Sequence, residues 1–333
     1  MRVFASKTIG SFAMVMVFFQ WSDSLVRAQQ VPAMFVFGDS LVDVGNNNFL
    51  NTIAKSNFLP YGVDFSGGPT GRFSNGRTLV DMLGGLLGLP PPPAFANPTT
   101  VGTRIQQGVN YASAAAGILE ESGQHYGQRH TLILVFGSND YINNYLMPSI
   151  YPSSFQYNPQ QFANLLLNRY TRQILALHSV GLRKFFIGGV GPLGCIPNQR
   201  SSGQAPPGRC VDSVNQMLGT FNEGLRSIID QLNRNHPGAI FIYGNIYNVF
   251  GDILNNPAIY GFNVIDRACC GIGRNRGQIT CLPYQVPCLN RNQFLFWDAF
   301  HPTQAATAII AWRVYNGPPN DVYPINVQQM ALL

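Results

Sequence analysis

The sequence predicts an α/β fold: a mainly parallel five-stranded sheet with helices on both faces. Three observations lead there. Short apolar runs that read as strands alternate with longer segments whose apolar residues recur at three and four, the pattern of parallel strands joined by helical crossovers. The first run stops abruptly at Gly38-Asp39-Ser40, as a buried strand does at a turn. And 333 residues that are 46% hydrophobic but only 11% charged suit one large core rather than disorder or a coiled coil.

The elements follow in order. Residues 34–37, Met-Phe-Val-Phe, form the first strand, and an Asn-rich turn at 45–48 and a Gly- and Pro-rich loop reach to Gly76. Residues 78–87 read as a short helix, ended by the stiff run of prolines at 90–93. Residues 108–112 and 131–136 are the second and third strands. Asn158-Pro159 caps a long helix with Phe162, Leu165, Leu166, Tyr170, Ile174 and Leu177 on its apolar face, closed by Gly181. Residues 184–190 make strand four, 211–235 a second amphipathic helix, and 239–243 strand five. A cysteine-rich loop, the run Phe294-Leu295-Phe296-Trp297 and a helix over 303–315 complete the chain, with no repeat and no dividing linker.

The two ends and the charge bound the setting. Arg2 and Lys7 precede an apolar run at 9–19, and Val26-Arg27-Ala28 offers small residues at a cleavage site, so residues 1–28 read as a secretory signal and 29–333 as a single domain. The apolar run is shorter than the ~20 residues a membrane span needs. Without the leader, three basic residues and one acidic residue leave and the net charge falls from +6 to +4. The basic residues form no run, which excludes a nucleic-acid partner and stable membrane insertion is not expected; weak association with a polyanionic cell wall fits. Cys195, Cys210, Cys269, Cys270, Cys281 and Cys288 are an even set on a secreted chain and therefore disulfide candidates, Cys195 with Cys210 and the Cys269-Cys270 pair with Cys281 and Cys288. Zinc is disfavoured because no C-x-x-C spacing or neighbouring histidine completes a site.

Ligands of open parallel sheets bind beyond the strand carboxyl ends, which is where Ser40 falls. Three further stretches fall on the same edge. Gly137-Ser138-Asn139-Asp140 ends strand three, and residues 110–117 follow strand two with small side chains and Gly117. Asp298 and His301 stand three apart before the last helix, a spacing that lets the carboxylate hold one ring nitrogen while the other faces a serine. Singly, each of these residues has an ordinary role as a turn, packing or capping residue. Jointly and in this order, with residues 71–77 (Gly-Arg-Phe-Ser-Asn-Gly-Arg), 189–195 (Gly-Val-Gly-Pro-Leu-Gly-Cys) and Cys269-Cys270-Gly271, the sequence resembles the plant GDSL-type esterase/lipase family of the SGNH hydrolase superfamily.

The resemblance implies a three-layer α/β/α sandwich of flavodoxin-like topology and a secreted, extracellular serine esterase or lipase acting on small-molecule or lipid esters in the cell wall or apoplast. It implies Ser40 as nucleophile, His301 as general base and acid, and Asp298 as the residue that orients the imidazole. The oxyanion would be held by the backbone N–H groups of Ser40 and Gly117 and by the Asn139 amide, with no metal or organic cofactor. No Gly-x-Ser-x-Gly stretch exists, which argues against an ordinary nucleophile elbow. One feature departs from the resemblance. Only 14 residues, three of them glycine, span 117–130 between strands two and three, without a helical stripe. That shortened crossover is expected to leave one sheet face under-covered and the protein less stable or inactive, which keeps a catalytically silent lipid or cell-wall binder open beside hydrolysis; acyl transfer at the same site stays open because the sequence does not decide which acceptor reaches the acyl-enzyme.

Overall fold

In the computed structural model the described residues are 28–126, 137–206 and 208–333. The expected leader and the expected third strand therefore lie outside them. Residues 34–38 and 107–113 run side by side in parallel, with Met34 N–H donating to the Gln107 carbonyl, Val36 N–H to Val109, and Tyr111 and Ser113 N–H back to Val36 and Gly38. Val36 and Asn110 form a parallel bridge within this pair. Ser40 thus follows directly on a strand-like segment, as expected.

Two long helices and two strands form the centre. Helix α1 (Leu79–Leu86) starts at Thr78, where Asp81 and Thr78 cap each other reciprocally. Helix α2 (Pro159–Ser179) starts with Pro at its first position and a capping box between Asn158 and Gln161. It buries Phe162, Leu166, Tyr170, Ile174 and Leu177, one face of a 3.6-residue period. Strand β1 (Lys184–Gly188) leads to helix α3 (Asp212–Asn235), which buries Leu218, Phe221, Leu225 and Ile229 and packs on α2. Their approach is close at Gly224, where a Cβ would lie 2.3 Å from Leu167 Cδ1. Strand β2 (Ile240–Gly244) then pairs in parallel with β1, Lys184 opposite Ile240 and Gly188 opposite Gly244.

Four of the five expected strands run as two parallel pairs, 34–38 beside 107–113 and β1 beside β2, and the edge of the second pair adds a strand that was not expected. Among the described residues, β1 and β2 form a three-stranded sheet with β5 (Val322–Tyr323), which is antiparallel. Strand β5 is two residues long and has no period to read. Its place is fixed by charge: Asp321 receives two hydrogen bonds from the Arg313 guanidinium, and the Asp321 carbonyl accepts from Asn245 N–H just beyond β2. Helix α4 (Ile246–Asn255), capped by Asn245, fills the crossover after β2 and was not expected. A separate parallel pair joins β3 (Val264–Ala268) to β4 (Phe294–Phe296), so residues 294–296 are a strand that delivers Trp297, Asp298 and His301. Helix α5 (Gln304–Asn316) follows, capped by the Thr303 hydroxyl, and packs against α1.

The three disulfides are Cys195–Cys210, Cys269–Cys288 and Cys270–Cys281, the pairing expected within the two groups. The second and third gather with Tyr61, Phe73 and Trp297 in a small core of their own.

Three aspartates are buried without a salt bridge among the described residues and are solvated chiefly by backbone N–H groups instead. Asp39 accepts from Leu41, Asp43 from Gly45, Asn46 and Ala114, and Asp140 from Ile118 and Leu119 as well as the Ser122 hydroxyl. Burial outweighs these bonds and pushes each carboxyl up to about 6. A raised folded-state value means that the folded chain binds these protons more readily than the unfolded chain. Their contribution to stability is therefore complete below the unfolded value near 3.8 and is lost as pH rises through about 6. Asp64 and Asp252, held low chiefly by hydrogen bonds from Arg291 and from Tyr260 and Arg313, contribute in the opposite sense, but only as pH falls toward their own low values. Thermal unfolding followed by circular dichroism should accordingly give a higher midpoint at pH 5.5 than at pH 7.5, by several degrees at about 2–4 °C per kcal/mol. A midpoint that falls over that interval contradicts the account.

Candidate active site

The turn at 38–43 is built to hold a serine at a strand end. Asp39 Oδ1 accepts from Leu41 N–H at 2.9 Å, while Val42 and Asp43 N–H both donate to the Asp39 carbonyl, closing one tight turn around Ser40. Gly38 is required because a Cβ there would lie 2.3 Å from Val42 Cγ2. The turn is then tied to the neighbouring segment. Asn46 Nδ2 donates to the carbonyls of Asn110 and Ala112, Asn110 Nδ2 donates to the Val42 carbonyl, and Asn47 Oδ1 accepts from Ser113 Oγ and Ala114 N–H.

Strand β4 and its turn bring the other half. His301 Nε2 lies 2.7 Å from Ser40 Oγ, across 261 residues of sequence. His301 Nδ1 sits 2.8 and 2.9 Å from the two oxygens of Asp298. The three-residue spacing works as expected, because Asp298 Oδ1 also accepts from the Phe300 and His301 N–H groups and so closes its own turn. Asp298 is wholly buried, His301 nearly so, and Ser40 half-buried, so solvent or a ligand reaches the hydroxyl end of the line only. Burial opposes the charge on Asp298, yet the His301 charge and the hydrogen bonds from His301, Tyr61 and Phe300 hold it below the ordinary carboxylate range. An ionised carboxylate fixes the imidazole with its Nδ1 protonated and leaves Nε2 to accept the serine proton.

Asn139 and Gly117 are also brought together. Gly137 takes a left-handed conformation and starts a short helical turn, Ser138–Asp140. The Asn139 amide donates to the Ala116 carbonyl at 2.9 Å, the carbonyl of the peptide that links Ala116 to Gly117, and Asn143 Nδ2 donates to Asn139 Oδ1 and fixes which way the amide faces. Since Nδ2 carries two protons, one stays available. Gly117 has a packing reason to be glycine: a Cβ would lie 2.4 Å from Ser122 Cβ and 2.7 Å from Asp140 Oδ1.

Beside the serine lies an apolar cleft. Leu41, next to Ser40, and Phe300 and Pro302, which flank His301, line it together with Gly191, Phe250 and Ile310. Among the described residues no group of His, Cys, Asp or Glu is arranged to hold a metal ion, and no helix is long and apolar enough to cross a membrane.

Sequence reasoning missed two parts of this site. The asparagines at 46–48 read as a mere turn, although their clustering before a long loop was the available signal. Tyr61, fully buried, donates its hydroxyl to Asp298 Oδ2 at 2.6 Å, and nothing in its Gly- and Pro-rich surroundings marked it.

Comparison with known proteins shows the family. Residues 34–314 match the family model described as GDSL-like lipase/acylhydrolase. A GDSL esterase/lipase of Arabidopsis thaliana is 59% identical over 362 aligned positions, covering 98% of this chain and 97% of the relative. A second from the same plant is 51% identical, covering 97% and 93%, and GDSL esterase/lipase 7 is 46% identical, covering 91% and 92%. The first alignment's 362 positions exceed the 333 residues of this chain, so at least 29 of them have no residue here. The chain belongs to the GDSL-like lipase/acylhydrolase family and is a carboxylic ester hydrolase.

Proposed function

We propose that the protein is a secreted serine esterase that hydrolyses carboxylic esters through Ser40, His301 and Asp298. The observation that carries the reading is the continuous hydrogen-bonded line from buried Asp298 through His301 to the half-exposed Ser40 hydroxyl. His301 Nε2 takes the Ser40 proton as Oγ forms a bond to the carbonyl carbon. The oxyanion so formed is held by the N–H groups of Ser40 and Gly117 and by the second proton of the Asn139 amide. His301 then gives its proton to the departing alkoxide, which leaves as the alcohol. Water repeats the cycle on the acyl-serine and frees the acid. Replacing the water by a second alcohol makes the same site an acyltransferase.

The acyl group enters the apolar cleft beside Leu41 and Phe300, which favours an ester with an apolar acyl chain, in a small molecule or a lipid. Secretion is supported by the leader-like residues 1–28 and by three disulfides, which persist in oxidising compartments, and the mild positive charge suits weak retention in a polyanionic cell wall. Residues 29–333 act as one domain of α/β/α layering. The positions missing relative to the Arabidopsis relative fall in the shortened crossover near 117–130, on this reading, and the hydrogen bonds from Ile118, Leu119 and Ser122 to Asp140 clasp what is left of it beside Asn139. That clasp supports an active enzyme over a silent binder.

Two experiments test this. The purified secreted protein should hydrolyse a short-chain chromogenic ester and unfold cooperatively, Ser40→Ala should abolish turnover, and Asn139→Ala should lower kcat by about 100-fold. A folded wild type that is silent on short and long esters sinks the reading. For the cleft, a Cβ at Gly191 meets only Ile246 Cγ2, at 3.7 Å, an ordinary contact, so a side chain can start there and extend into the space. Gly191→Val should keep acetyl-ester turnover and lose octanoyl-ester turnover by at least about tenfold. An unchanged chain-length profile would place the acyl group elsewhere.

A further inference from the structure

We infer that Tyr61 is a positioning residue of the catalytic site, tuning the Asp298–His301 pair through a hydrogen bond from its hydroxyl to Asp298 Oδ2. The inference rests on the triad reading above and adds a residue to it.

The proton inventory assigns the direction of each bond. An ionised carboxylate only accepts, so the single Tyr61 proton, 2.6 Å from Oδ2, belongs to Asp298. Thr280 Oγ1, 3.3 Å from the same phenol oxygen, must then donate to it. A directed chain results, from Thr280 to Tyr61 to Asp298, meeting His301 and Ser40 on the far side. Oδ1 is well supplied by Phe300 N–H, His301 N–H and His301 Nδ1, whereas Oδ2 has Tyr61 and a share of Nδ1. Tyr61 is thus the one strong donor that belongs to Oδ2 alone, on a carboxylate with no access to water.

The ring is held independently of the hydroxyl. Phe58, Phe73 and Trp297 contact it edge to face, with centroids 5.4, 5.9 and 6.1 Å away, and Phe73 also lies against the His301 imidazole at 5.2 Å. The neighbouring backbone is pinned by Tyr284 N–H donating to the Leu59 carbonyl, and Thr280 adjoins Cys281 of the Cys270–Cys281 disulfide. Tyr61→Phe therefore deletes one hydrogen bond and leaves the packing.

The effect has a sign. A donor on Oδ2 draws negative charge away from the side that faces the imidazole. Without it, Asp298 attracts the imidazolium more strongly, and His301 holds a proton to higher pH. The groups acting electrostatically on His301 are Asp298 on its own turn and Asp39 on the serine turn, with the neutral Tyr61 phenol behind Asp298. None but Asp298 is touched by the substitution.

The test compares wild type, Tyr61→Phe and Thr280→Val by ester kinetics across pH and by NMR titration of the His301 ring. Tyr61→Phe should lower kcat by about tenfold with KM within about twofold, and should move both the acid limb of kcat/KM and the imidazole titration midpoint upward by about half a pH unit or more. Thr280→Val should move both in the same direction by less. A lower rate with an unmoved pH profile and an unmoved midpoint reduces Tyr61 to a packing residue and overturns the inference. The NMR arm needs no turnover: if the wild type hydrolyses no ester, the functional reading fails, and the midpoint shift alone upholds or overturns the coupling.

Discussion

A carboxylate with no access to water has to be stabilised from every side, and Asp298 sets the terms for much of the molecule. Two backbone N–H groups, an imidazole and a phenol converge on its two oxygens. Each arrives from a constraint elsewhere. The N–H groups come from a turn placed by β4, the imidazole from the residue that ends that turn, and the phenol from a loop packed against the disulfide core. Removing any donor leaves charge buried without compensation, which costs more than the same bond contributes at a surface. The Ser40 hydroxyl, at the open end, is the member of the line that solvent reaches.

The half that carries Ser40 is held by different means. Instead of charge pairs, the turn after residues 34–38 relies on asparagine amides, each able to donate and accept at once. Asn46, Asn47 and Asn110 bind carbonyls and N–H groups on opposite segments, so the turn carrying Ser40 and the segment leading to Gly117 move as one body. Amides suit this place because they satisfy buried carbonyls and N–H groups without adding a charge beside His301. Asp39 and Asp43 do carry potential charge, and burial raises both toward the neutral form.

What the sequence made legible follows from which constraints are local. Ser40, Asp298 and His301 could be read because strand ends, turn residues and a three-residue spacing are short-range patterns, and the structure brings all three within hydrogen-bond distance. The helices at 79–86, 159–179, 212–235 and 304–316 were legible from period and caps. The antiparallel edge at Val322 was not, because two residues carry no period and the forces that place them, Arg313 on Asp321 and Asn245 on the Asp321 carbonyl, join distant positions. Tyr61 was illegible for the same reason, since its partner is 237 residues away. Helix α4 was a miss of another kind: Asn245 is a plain N-cap signal, and it was passed over in a stretch read as connection.

The segment that follows Gly117 is part of what holds the Asn139 turn. Asn139 takes its direction from the Ala116 carbonyl and from Asn143, and its neighbour Asp140 takes hydrogen bonds from residues 118, 119 and 122. Those bonds close a loop between residues 118–122 and the turn that carries Asn139. The price of such a clasp is a buried carboxylate raised to about 6, answered by three donors rather than a cation. Local hydrogen bonding of this kind keeps the Asn139 amide aimed through its immediate neighbours, the Ala116 carbonyl on one side and Asn143 on the other.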